Sequence, residues 1–267
     1  MIILDRMALA DCFSPEELVS EIFRQCPDLP LPIPIDAIAS AAGIVKLIPI
    51  CSQSIEGMLV SDLGKNNGVI YFNPDPRKPI GRQRFTIGHE LGHFLLLNHG
   101  PSMTCAAEDI KNFSKNTLKP FEDEANKFSQ LLLLPDHLIQ NEIDDKEPTI
   151  ELLCCTSEKF NMSFEATANK CSSYGGQPFA LVYSKDGLVR YCWRDWRKFP
   201  FQLQLKKGDA IPHRDRILIN NNQSITKQSP VNPSLWLNPL EELPKYLLEQ
   251  TYTQENGYQV TMLVAVN

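Results

Sequence analysis

The hydrophobic positions of this chain fall first into helical spacing. Between Pro15 and Gln25, residues Leu18, Ile22 and Phe23 make one apolar stripe, with Ser14 and Pro15 as N-cap and first helical residue. The proline-rich run Leu29 to Pro34 must be extended, a short helix follows over 35–42, and Gly43 stops it. The period then changes to that of strands. Ile44 to Ile48 reads as one strand, and 57–61 and 69–73 flank the turn Gly64 to Gly68 as a hairpin. A long helix is predicted from about Arg82 to Leu97. Another opens at Pro120 and runs to Leu134, ended by Pro135, while residues 101 to 118 look irregular.

Shorter helices fill 136 to 173, and Ser157 to Ala168 has the look of a helix-turn-helix with Ser163 capping its second helix. From Pro178 the pattern is that of strands: 179–183, a turn at Ser184 to Gly187, then 188–193. Residues 219 to 233 are polar and read as a long loop, and 247–253 and 258–266 close the chain around Glu255-Asn256-Gly257. These elements predict an α+β protein. A first domain is expected over 1–176, including the helix-turn-helix-like segment at about 136–176, and a small β-rich domain over 177–267.

Composition narrows the classes. At 267 residues, 43% hydrophobic and 22% charged, the chain can bury a sizeable core. Its net charge of −6 sets up no general attraction to nucleic acid or an anionic membrane. Lys159 and Lys170 are the only basic residues between 151 and 176, so direct nucleic-acid binding by the helix-turn-helix-like segment is not expected. The N-terminus reaches Asp5 too early for a signal-peptide core, and the leucines 131–134 are too few to cross a membrane. A soluble, cytoplasmic protein with no membrane partner is expected. The eight cysteines form no Cys-x-x-Cys pair and are expected to be buried reduced thiols.

Candidate chemistry lies in the long helix. His89 and His93 stand at i and i+4, one turn apart on a single face, a spacing suited to two tetrahedral positions on zinc. Glu90, about 100° round from His89, can reach a metal-activated water without ligating, and so act as general base. Phe85, Ile87, Leu91, Phe94, Leu95 and Leu96 make the helix apolar on most sides, so these polar groups are buried and need partners. Gly88 and Gly92, also i and i+4, suggest a close-packed neighbouring backbone. Hydrolytic zinc sites keep three protein ligands. The Pro120 helix offers Glu122, Asp123 and Glu124, with Glu122 beside its core face and Asn126 one turn on. One of these two could ligate while the other orients an imidazole. Glu124 points further toward solvent, and Glu122 could equally serve only the helix dipole. His99 reads as a contact at the helix end, and His137 and His213 have no spacing that recommends them.

Two segments are familiar. Arg82-Gln83-Arg84-Phe85-Thr86-Ile87-Gly88-His89-Glu90-Leu91-Gly92-His93, with Glu122-Asp123-Glu124-Ala125-Asn126-Lys127-Phe128-Ser129 and Leu132-Leu133-Leu134-Pro135, resembles the ImmA/IrrE family of bacterial metallopeptidases. The family pattern has Ala where this chain has Gly88 and Ser129. Gly57-Met58-Leu59-Val60 looks like the family strand that precedes the metal helix. The resemblance implies a zincin-like fold, one catalytic zinc ion held by His89, His93 and a Glu of the second segment, and Glu90 as base. More distant peptidases with a similar segment use its first Glu, which matches Glu122 rather than Glu124.

The resemblance further implies a regulatory endopeptidase with a protein substrate, such as a helix-turn-helix transcriptional repressor, and a link to stress responses. A substrate strand is expected to add beside 69–73 or 57–61, with Tyr71, Tyr174 or Arg84 as oxyanion donor. The competing expectation is a non-catalytic protein in which zinc stabilises the core while the C-terminal part binds a partner or senses a ligand.

Overall fold

The computed structural model describes residues 2–52, 54–75, 80–106, 119–212 and 224–266. It divides into two compact units, one formed by Met1–Asp136 with Glu158–Ser163, the other by His137–Ser157 with Phe164–Asn267.

The first unit opens with α1 (Arg6–Ala10) and α2 (Pro15–Gln25). Ser14 and Glu17 form a reciprocal capping box. The Ser14 hydroxyl accepts from the Glu17 N–H, and the Glu17 carboxylate accepts from the Ser14 N–H, each at 3.2 Å. The predicted stripe is buried at Leu18 and Ile22, with Val19 beside them, while Phe23 is half-buried. α3 (Ile35–Ala42) ends at Gly43, whose φ of 116° lets its N–H reach back to the Ala39 and Ser40 carbonyls.

A sheet of four strands follows: β1 (Ile44–Pro49), β2 (Ile55–Ser61), β3 (Gly68–Phe72) and β4 (Ser102–Ala106), in the order β1-β3-β2-β4. β2 and β3 form the expected antiparallel hairpin, and β1 lies parallel to β3. Asp62 organises the turn by accepting from the N–H groups of Asn66 and Asn67. Two expectations fail in this sheet. The stretch from 101 is not irregular over 102–106, because that segment pairs with β2; residues 107–118 lie outside the described residues. Neither 57–61 nor 69–73 is a free edge, since each is paired on both sides; among the described residues the edges are β1 and β4.

α4 (Ile80–Leu95) and α5 (Lys119–Leu133) pack together with the sheet. Glycines set how closely they approach. A Cβ at Gly92 would lie 3.2 Å from Ala125 Cα, the close backbone that the glycine pair predicts. Leu59, Ile70, Ile87, Leu91, Phe94, Phe128 and Leu132 fill the core between these elements.

α6 (Asp136–Ile143), α7 (Ile150–Phe160) and α8 (Phe164–Cys171) supply the predicted shorter helices, with Asn161 in the left-handed region between the last two. Residues 158–163 belong to the first unit, where the backbone of Met162 and Ser163 packs tightly on Gly81.

The second unit is built on β5 (Phe179–Lys185), β6 (Leu188–Arg194), β7 (Ser224–Ile225), β8 (Ser229–Val231), β9 (Tyr246–Thr253) and β10 (Tyr258–Val266). The strands run β6-β5-β10-β9-β7, with β8 also on β9, so the β-rich C-terminal region is present as expected. Asp186 and Gly187, both at positive φ, make the two-residue turn between β5 and β6. Trp236, Phe199, Leu237, Leu247 and Leu263 centre its core. The polar run 219–233 is not wholly loop, since β7 and β8 pair with β9. The cysteines with described side chains are free thiols, but only Cys171 is buried and Cys51 and Cys155 are exposed. Among the described residues no helix is long and apolar enough to cross a membrane.

Candidate metal centre

From Thr86 onward, α4 buries its polar residues as completely as its apolar ones. His89, Glu90 and His93 have no exposure, and Thr86 has 2%. α5 brings Glu122 (6% exposed) and Asn126 (7%) to the same place. Three ligand atoms converge: His89 Nε2 and His93 Nε2 are 3.1 Å apart, His89 Nε2 is 3.2 Å from one Glu122 oxygen, and His93 Nε2 is 3.4 Å from the other. These residues form a buried group able to hold a metal ion.

The hydrogen bonds on the far sides of the rings decide what those atoms present. His89 Nδ1 faces the Asn126 amide oxygen at 3.1 Å, an oxygen that can only accept. Nδ1 therefore carries a proton, and the tautomer with that proton alone leaves Nε2 a bare lone pair. His93 Nδ1 meets His99 Nδ1 at 2.7 Å, and His99 Nε2 meets the Glu124 carboxylate at 2.8 Å. His99 donates to the carboxylate from Nε2, so its Nδ1 accepts from His93 Nδ1–H, and His93 Nε2 is bare as well. Two lone pairs and a carboxylate thus point at one another in a water-poor interior. That arrangement is repulsive unless a cation joins it. A small divalent ion with tetrahedral bonds of about 2.0–2.1 Å sets its ligands about 3.3–3.4 Å apart, close to the separations found. The residues fit a metal.

Burial lowers His93 to about 4, which keeps the ring neutral. Burial acts to raise the Glu122 carboxyl, while hydrogen bonds from the His89 and His93 rings hold it down to about 2. With both Nε2 atoms bare, a bound cation would take the place of those ring protons.

Glu90 lies on a different side of α4, against β2. A Cβ at Gly57 would overlap Glu90 Oε1 and stand 2.7 Å from Thr86 Cγ2, so β2 approaches this side chain only because residue 57 has none. Of the expected site residues, the structure therefore clusters His89, His93 and Glu122 and buries Glu90 beside them in the same helix. Glu124 is kept apart, taken up by His99 and Asn98. Asn126 holds an imidazole, as its place one turn after Glu122 predicts.

Three contributors escape the sequence reading. His99 is 3% exposed and touches His93, and is not a contact at the helix end. Lys65 reads as a turn residue, yet its ammonium is buried and donates to the His93 and Leu96 carbonyls at 2.7 Å each, closing the end of α4. Gly57 gives no sign in sequence that it faces a carboxylate. Arg84, a candidate oxyanion donor, gives its guanidinium to the Ile33 carbonyl at 2.6 Å. His137 is exposed on α6, and His213 lies outside the described residues.

Comparison with known proteins agrees with this geometry. The family model of the IrrE N-terminal-like domain, peptidase family M78, matches residues 46–172, a span that contains His89, Glu90, His93, His99, Glu122 and Asn126. No curated protein matches the sequence. A Mycobacterium tuberculosis transcriptional regulator is similar in structure at 11% identity and a TM-score of 0.45, over 86% of this chain and 69% of that one. The metallopeptidase family implies a metal, and the His89, His93 and Glu122 group is able to hold one. Residues 46–172 thus match the IrrE N-terminal-like domain and form a metallopeptidase-like domain similar to those of the ImmA/IrrE family.

Proposed function

We propose that this protein is a zinc-dependent endopeptidase of regulatory type, acting in the cytoplasm on a specific protein such as a helix-turn-helix transcriptional repressor, within a stress response. The observation that carries the reading is the convergence of two imidazole nitrogens and a carboxylate in a buried site. His89, His93 and Glu122 would hold the ion, a two-His, one-carboxylate set that leaves a fourth position open. Zinc, when bound, supplies a Lewis acid that polarises a peptide carbonyl and makes water acidic near neutral pH.

The chain's own groups supply the rest. Glu90 takes the proton of the attacking water and passes it to the departing amine, and its burial keeps that carboxylate away from bulk solvent. Gly57 leaves Glu90 its space, and Asn126 holds His89 in the ligating tautomer. Since β2 and β3 are paired on both sides, the edge that would take an extended substrate passes to β4, the neighbour of the strand that packs on Glu90. The functional division is proposed as a peptidase domain over 1–176 and a substrate-positioning or regulatory domain over 177–267.

The test is Glu90→Gln. It should retain zinc and lose about 10²–10⁴-fold in the rate at which the repressor encoded beside this gene is cut. A Glu90→Gln protein that cuts as fast as wild type refutes the base assignment. A wild-type protein that binds zinc and cleaves no such substrate favours the non-catalytic, zinc-stabilised binding or sensor reading.

A further inference from the structure

The two imidazoles of the centre are held differently. His89 leans on a neutral amide, Asn126. His93 leans on a second imidazole, His99, which in turn leans on a carboxylate, Glu124. His99 is buried at 3% exposure, with its ring 4.8 Å from that of His93 and 4.9 Å, edge-on, from Phe121. The Glu124 side chain is 37% exposed and lies outside the ligand cluster.

The turn that delivers His99 is fixed as firmly. Its N–H donates to the Leu96 carbonyl at 3.1 Å, and the buried Lys65 ammonium donates to that same carbonyl and to the carbonyl of His93. The end of α4 and the turn that carries His99 are therefore locked in one geometry. A two-nitrogen contact of 2.7 Å can exist only with one proton in it. Burial lowers His99 and favours its neutral ring, whose one proton the carboxylate claims at Nε2, so the proton in the two-nitrogen contact comes from His93 Nδ1.

We propose that His99, oriented by Glu124, is a positioning residue of the metal centre. It accepts the Nδ1 proton of His93 and so presents His93 Nε2, bare and aimed, to the ion. The proposal rests on the metal reading above and extends it to a His–His–carboxylate chain that only one of the two ligand imidazoles possesses. Its consequence is an asymmetric centre. The negative end of the chain makes His93 the stronger donor, whereas His89 has only an amide dipole behind it. Loss of His99 would leave the His93 Nδ1 proton buried without an acceptor. The ring would then favour the other tautomer, with a proton on the nitrogen that must ligate.

The test uses the full-length protein. Long-range ¹H–¹⁵N correlation spectra of its histidines should show His99 protonated on Nε2 and His93 on Nδ1. In chelator competition, His99→Phe, which keeps a ring against Phe121 but no nitrogen, should bind zinc about 10–100-fold more weakly. The cobalt(II)-loaded variant should show a shifted visible spectrum, which a loss of packing alone would not produce. Glu124→Gln, which keeps an acceptor for His99, should retain more affinity than Glu124→Ala. A His99 ring protonated on Nδ1 overturns the proposal, as does His99→Phe with wild-type affinity and an unchanged cobalt spectrum. If His99→Phe does not fold, the histidine tautomers of the wild-type protein decide alone. A wild-type protein that takes up no zinc refutes the metal reading instead.

Discussion

Both units bury polar side chains, but to different ends. In the second unit, Gln250 accepts from the Ile150 N–H and donates to Glu151 and to the Thr226 carbonyl, while the hydroxyls of Thr251 and Thr261 bond to each other across β9 and β10. Each of these contacts pairs a donor with an acceptor, and the result is cohesion. In the first unit, His89, His93 and Glu122 turn acceptors toward one another, and their donors are spent on the far side, on Asn126 and His99. Buried polarity therefore does not mark a site by its amount. What marks it is the direction of the lone pairs.

That contrast predicts where a metal will be felt. Zinc at a hundredfold excess over its dissociation constant should stabilise the first unit by about 2.7 kcal/mol, slowing roughly hundredfold the amides that exchange only when that unit opens. Hydrogen exchange should show this in α4 and α5 and leave β5 and β10 as they were. Equal protection in both units would break the comparison.

Gly57 sharpens it next. Gly57→Ala should cost about 1–3 kcal/mol in urea denaturation, because the new methyl overlaps Glu90 and Thr86. Zinc uptake should persist while the cleavage rate falls, since the displaced group is Glu90 and not a ligand. An unchanged rate would show that the close approach of β2 has no part in placing the base.

A smaller effect concerns the two departures from the family pattern. A Cβ on Gly88 would come within 2.6 Å of Ser129 Oγ, so the serine hydroxyl occupies the space that the usual alanine methyl would take. Ser129 also donates to the Phe85 carbonyl at 2.9 Å. Gly88→Ala alone should destabilise by about 1–2 kcal/mol, and Ser129→Ala should relieve much of that in the double variant. Additive costs would mean that the two substitutions arose independently.

Much of this was legible in the sequence where the signal is local. The capping residues of α2, the Gly43 stop and the Asp186-Gly187 turn each follow from a few adjacent residues. His89 and His93 follow from one turn of helix, and Glu122 with Asn126 from helical phase. What escaped depends on partners distant in sequence. β4 alternates over only five residues, Ser102–Ala106, too short a run to announce itself, and pairs where β2 offers an edge. His99 lies beyond the helix end, and its carboxylate is 25 residues on. Lys65 looks like an ordinary turn lysine until the end of α4 is seen to close over its ammonium.

The most direct test of the centre is metal content by mass spectrometry of wild type, Glu122→Ala and Glu124→Ala purified side by side. The account predicts one zinc per chain in wild type, almost none in Glu122→Ala, and zinc retained but more weakly held in Glu124→Ala. Equal zinc in wild type and Glu122→Ala, or loss in Glu124→Ala alone, would contradict it.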